Sequence, residues 1–268
     1  MEALKRWRAR GPRPALPDLQ GSRRTVSTPT KDRDMITDHV ATLTPAPDAD
    51  PAGAPGPRTP VARLATTLLP TVHGDFQTFA YADIEAGVDH LALVGPGTLE
   101  AIAASAVAAP LVRVHSECIT GEALGSLKCE CGPQLQASLA TVHERGGVIV
   151  YLRGQEGRGI GLANKMRTYA LQETGVDTLD ANLQLGFPAD ARDYTAAAEI
   201  LADLGISRVT LLTNNPEKMT QLDEHGIEVV GREPLVVGVG AHNAGYLETK
   251  RTRMGHLIPA GTGSHDGL

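Results

Sequence analysis

Arg113-Val114-His115-Ser116-Glu117-Cys118, followed shortly by Cys129-Glu130-Cys131-Gly132, gathers all three cysteines of the chain into one stretch. Thiolates this close in sequence suit a metal cage, because soft sulfur ligands select zinc and similar ions. Zinc sites that hold structure are normally closed by four ligands, whereas catalytic ones keep three and leave a corner for water. Cys118, Cys129 and Cys131 without a fourth cysteine therefore point to an open, water-activating zinc. His115, just ahead of Cys118, could be a fourth ligand, and its participation would make the site structural.

Three further stretches carry charge at turns. Arg153-Gly154-Gln155-Glu156-Gly157-Arg158-Gly159-Ile160-Gly161 has glycines that let backbone amides approach an anion, with Arg153 and Arg158 adding full charges. Its spacing is neither the dinucleotide Gly-x-Gly-x-x-Gly pattern nor a Walker loop. Alone, it reads equally well as an ordinary glycine-rich turn. Asp190 and Arg192 stand ahead of a helix, where Asp190 could accept a proton and Arg192 grip phosphate. A favourable acid at a helix start and a surface arginine would look the same. Thr213-Asn214-Asn215-Pro216-Glu217-Lys218 ends a strand, the place where α/β sheets hold ligands, or simply caps the next helix.

The elements that must position these groups follow from periodicity. Val61 to Leu69 and Phe76 to Tyr81, joined by a Pro70–Asp75 turn, read as a β-hairpin. Strands follow at His90–Gly95 and Pro110–His115, the second running directly into the cysteine motif. Pro133 suits a first helical turn, Leu135, Leu139 and Val142 repeat in phase, and Gly146 ends that helix. Gly147–Leu152 is a buried strand by its unbroken apolar run. A helix with Leu162, Met166, Tyr169 and Ala170 on its core face comes next. Asp193 is expected to cap another helix carrying Ala197, Ile200, Leu201 and Leu204, and Asn215-Pro216 to open a third. With strands at Arg208–Leu212 and Ile227–Val230, this alternation predicts an α/β fold. Its architecture is a layered sheet with helices on its faces, a β-hairpin-rich N-terminal part and a single catalytic domain.

Bulk numbers bound the rest. A chain of 268 residues, 41% hydrophobic, holds one sizeable domain plus tails. A net charge of -6 excludes a general nucleic-acid coat, so any anion must be met by local cations. Apolar runs fall short of the roughly 18 residues that span a bilayer. The first residues alternate Arg and Pro instead of forming a secretory core. A soluble, cytoplasmic protein without membrane or nucleic-acid partners is the expectation, since clustered cysteines suit a reducing compartment. Residues 1–60, basic and then Pro/Ala-rich, read as a disordered tail or as sequence upstream of a start at Met35. The glycine-rich ending after Lys250, and residues 258–268 in particular, read as a flexible tail around a 61–257 domain.

Taken together, these motifs resemble one family. Arg113 to Gly132, the Gln155–Leu162 loop, Gln184-Leu185-Gly186-Phe187 with Asp190-x-Arg192, Thr213–Pro216 and Met254-Gly255-His256-Leu257 are similar to GTP cyclohydrolase II in order and spacing. That resemblance implies opening of the guanine ring of GTP, giving formate, pyrophosphate and a diamino-ribosylamino-pyrimidinone phosphate, the first committed step toward riboflavin. Some relatives fuse this domain to a dihydroxybutanone-phosphate synthase, for which residues 1–60 look too few. It implies zinc on Cys118, Cys129 and Cys131, Mg²⁺ with the triphosphate, and a homodimer. GTP contacts would come from Arg113, Val114, His115, Ser116, Glu117, Gln134, Glu156, Gly157, Arg158, Thr178, Thr213 and Lys218. Asp190 matches the proton acceptor, Arg192 a proposed nucleophile toward the α-phosphate, and Tyr169 a residue near the ring-opening water.

Guanidinium stays protonated in proteins, so Arg192 suits a phosphate clamp better than a nucleophile. A zinc nucleobase deaminase would show His-x-Glu with Pro-Cys-x-x-Cys, whereas here the pair is Cys-x-Cys and no Pro-Cys precedes it. A zinc-stapled nucleic-acid module would need a fourth ligand and a basic face. Within the family, the rivals are a variant stopping at the formamide product, against which Tyr169 argues, and one serving a specialised pathway.

Overall fold

The computed structural model describes residues 61–262. A seven-stranded mixed sheet of order β1-β2-β3-β5-β4-β6-β7 forms its centre. Strands β1 (Ala62–Thr71), β2 (Gly74–Asp83) and β3 (Val88–Val94) make an antiparallel meander that joins β5 (Val148–Leu152). From there β4 (Leu111–Ser116), β6 (Arg208–Leu212) and β7 (Glu228–Glu233) continue in parallel. The hairpin and the α/β half expected from periodicity are both present.

Two apolar clusters cover the two faces of the sheet. On one side Val112, Val114, Val150 and Leu211 pack with Ala197, Ile200 and Leu201 of α6 (Thr195–Asp203) and Leu222 of α7 (Pro216–Glu224). On the other, Leu111, Ile149, Phe76 and Leu93 meet Leu139 and Val142 of α3 (Cys131–Arg145). Successive strand residues point to opposite faces. Once Val112 and Val114 enter the first cluster, Arg113 and His115 must face the α3 side, where the cysteine motif returns. Both are buried there.

Shorter elements complete the fold: α1 (Thr98–Ala103), α2 (Ile119–Glu122), α4 (Leu162–Glu173), α5 (Thr178–Gln184) and α8 (Ala244–Arg253). Three local expectations are corrected. In α4 the supposed core residues Leu162 and Met166 are exposed, and the helix buries Lys165 and Thr168 instead. Asp193 caps through the amide of Thr195 (2.8 Å), with Tyr194 at the cap position itself. The chain after Lys250 stays in α8 to Arg253 and then runs inward, where Ile258 is buried and the Leu257 amide donates to the Asn214 carbonyl (2.8 Å). The reading of residues 1–60 falls outside the described residues. Among the described residues no helix is long and apolar enough to cross a membrane.

Candidate metal centre and anion cleft

The carboxyl ends of β4, β5 and β6 open into one cleft enclosing about 1070 Å³ of empty space, its open mouth included. Cys118 leaves β4 at the start of α2, Cys129 precedes α3 and Cys131 is the first residue of α3. Their three sulfurs lie within 4.8 Å of one another and could hold a metal ion. The Cys118 and Cys129 sulfurs are 3.7 Å apart. Tetrahedral zinc with Zn–S bonds near 2.3 Å demands about 3.8 Å between sulfurs. The donor set and its spacing therefore fit zinc.

His115 does not join this group. Its Nε2 pairs with Glu122 Oε1 at 2.9 Å and its ring stacks on Tyr151. Burial pushes the imidazole down to about 4, so it stands neutral in the cleft wall. Lys165, unnoticed in the sequence, lies against the trio instead. Its ammonium donates to Cys118 Sγ (3.0 Å) and Thr120 Oγ1 (2.7 Å) and pairs with Glu156. Glu156 also accepts from the Ile119 amide, tying the glycine-rich loop to α2. Tyr169, one turn beyond Lys165, lines the same cleft, and burial pushes its phenol up to about 12.

Cations gather in the same lining. Arg113 donates to the Leu212 carbonyl and to Gln134 Oε1, both at 3.0 Å, and Lys218 donates to the Val114 carbonyl at 2.7 Å. Arg158 holds a left-handed backbone (φ 65°) beside Gly157 (φ 63°), which turns the loop back on itself. Among the described residues none of these three cations is in an ion pair, and Arg113 Nε and Arg158 Nη2 are buried without hydrogen-bond partners. Burial pushes the Lys218 ammonium down, as expected for a charge awaiting a counterion. Such groups cost free energy unless an anion meets them.

The remaining expected residues are distributed as follows. Ser116 Oγ is buried without a partner, and Glu117 accepts from the Gly154 amide (2.8 Å). Gln134, Thr178 and Thr213 line the cleft. Val114 turns its side chain into the core and offers only its carbonyl to Lys218. Asp190 and Arg192 form a two-point ion pair (2.8 and 2.5 Å), and Arg192 reaches the cleft. Residues missed in the sequence are Glu130, Lys165, Tyr246, Lys250 and His256, all in the lining. Lys165 had one signal, since it lies four residues before Tyr169 and so shares its helix face.

A model of the GTP cyclohydrolase II family matches residues 62–234. "Riboflavin biosynthesis protein RibBA" of Mycolicibacterium gilvum is 50% identical over 204 residues, covering 73% of this chain and 46% of that protein. The protein of the same name from Mycobacterium tuberculosis is 51% identical over 216 residues, covering 78% and 49%. This chain thus spans about half the length of the curated relatives it matches. A solved two-domain 3,4-dihydroxy-2-butanone 4-phosphate synthase from A. baumannii, RibBX, aligns at 23% identity and a TM-score of 0.34, covering 66% of this chain and 40% of that one. That likeness is too loose to carry an argument.

Proposed function

This chain belongs to the GTP cyclohydrolase II family, and from that premise we propose that it hydrolyses GTP to formate, pyrophosphate and a diamino-ribosylamino-pyrimidinone phosphate, as a step toward riboflavin. The observation that carries the reading is one cleft lined both by a thiolate trio and by three cations outside any ion pair among the described residues. A nucleoside triphosphate presents a heterocycle and a polyanion at a matching separation of roles. Zinc bound by Cys118, Cys129 and Cys131 would supply the Lewis acidity that makes water a nucleophile near neutral pH.

The protein's own groups divide the work. Arg113, Arg158 and Lys218 bind the triphosphate, and Mg²⁺ arriving with it would neutralise further charge. Burial opposes the charge on Arg192, but Tyr194 and Asp190 more than offset it, so this guanidinium stays charged above its ordinary range. It clamps the α-phosphate. Burial pushes the Asp190 carboxyl up, yet Arg192 more than offsets that and leaves it ionised, fit to take a proton from water attacking phosphorus. Tyr169 keeps its proton at neutral pH and positions water or donates a hydrogen bond beside the sulfur trio.

The test is product analysis of purified protein with GTP, Zn²⁺ and Mg²⁺, following purine absorbance, formate and pyrophosphate. Absorbance change without formate would mean that hydrolysis stops at the formamide. Cys129→Ser is expected to lose bound zinc and formate release together. A zinc-free variant with full activity would overturn the assignment.

A further inference from the structure

Glu130, between two of the metal-site cysteines, has no part in the reading above. Its side chain is buried at 3% exposure and lines the cleft. One carboxylate oxygen, Oε1, is taken: Lys250 of α8 pairs with it at 2.5 Å and Gln134 Nε2 lies 3.5 Å away. The other oxygen, Oε2, is buried and has no hydrogen-bond partner. A buried, charged acceptor without a donor costs free energy that a bound ligand can recover. The same lining contains unpartnered donors on Arg113 and Arg158, which suit anions. Glu130 asks for the opposite, a neutral group that carries hydrogen.

Position narrows the donor. Glu130 is adjacent in sequence to Cys129 and Cys131, and Gln134, one helical turn on, bonds Arg113 at 3.0 Å. The carboxylate therefore lies close both to the sulfur trio and, through Gln134, to Arg113. In a purine nucleotide the unit between the ring carbon C8 and the α-phosphate is the sugar. Resting on the proposed GTP reading, we infer that Glu130 accepts a hydrogen bond from the ribose hydroxyls, making it the residue that selects a ribonucleotide over a deoxyribonucleotide. Lys250 is its positioning residue. Held against the Tyr246 ring (4.5 Å) on α8, it fixes Oε1 and leaves Oε2 without a donor. Both lie beyond residue 234, where the family match ends, so the sugar subsite is completed by the C-terminal helix.

The test compares kcat/KM for GTP, 2′-deoxy-GTP and 3′-deoxy-GTP in the wild type, Glu130→Ala and Lys250→Met. A hydrogen bond to a charged acceptor corresponds to roughly a 10- to 100-fold preference. The wild type is expected to favour GTP over at least one analogue by that factor, Glu130→Ala to fall within about 3-fold of no preference, and Lys250→Met to lie between. Each ratio compares two substrates on one preparation, so partial zinc loss cancels, and inactive variants are read by calorimetric Kd ratios instead. A wild type that accepts both analogues as readily as GTP overturns the inference, as does a preference that survives in Glu130→Ala. Failure of the wild type to turn over GTP at all counts against the ring-opening reading and is a separate result.

Discussion

Around the proposed zinc, three thiolates would leave the site with a net negative charge, weakening its Lewis acidity relative to a site of neutral imidazoles. Lys165 answers that deficit. Its ammonium donates to Cys118 Sγ at 3.0 Å while Thr120 and Glu156 hold it in place, so a positive charge lies against the cage. Partners of this kind typically contribute 10- to 100-fold in metal affinity or activity. Lys165→Met is expected to weaken zinc retention by that factor in competition with a chromophoric chelator. It also strands the buried Glu156 carboxylate, which costs about 3–5 kcal/mol of stability. Adding Glu156→Gln should restore much of the stability in urea melts without restoring the zinc affinity. Unchanged zinc affinity in the single variant would remove Lys165 from the metal site.

At the scale of elements, the cage depends on how closely α2 approaches α3. A Cβ built on Gly121 of α2 would lie 2.7 Å from Cys129 Sγ and 3.3 Å from Cys118 Sγ, and one on Gly132 would lie 2.4 Å from the Gly121 carbonyl oxygen. Gly121→Ala is therefore expected to drop zinc content below half while far-ultraviolet dichroism is unchanged. Full zinc content by elemental analysis would show that α2 can retreat. Strand β5 beside this cage was legible because, buried on both faces, it is a near-continuous apolar run. The cysteine motif and the glycine-rich loop were legible because residue type and spacing carry their chemistry. Helix α4 was misread for a physical reason: periodicity assigns apolar residues to the core, but this helix faces a polar cleft, so Lys165 and Thr168 are buried and Leu162 and Met166 are not. The Glu130–Lys250 pair was illegible because its partners are 120 residues apart and only the fold brings α8 to α3.

At the scale of the whole molecule, the far edge of the sheet is unfinished among the described residues. Among the described residues strand β1 pairs with β2 alone, and along it and its turn Leu64, Leu68 and Val72 are 61%, 62% and 93% exposed. A ten-residue edge strand with exposed leucines invites pairing with another chain. The proposed homodimer places its interface here more readily than on the charged helices. The chain of 28.2 kDa is expected to elute at about twice that mass by light scattering. Leu64→Glu with Leu68→Glu, both at exposed positions, should shift it to the monomer while GTP turnover persists, because β1 contributes no residue to the cleft. A wild-type monomer would refute the dimer, and a variant that stays dimeric would move the interface off β1. Loss of turnover on dissociation would mean that the second copy shapes the cleft.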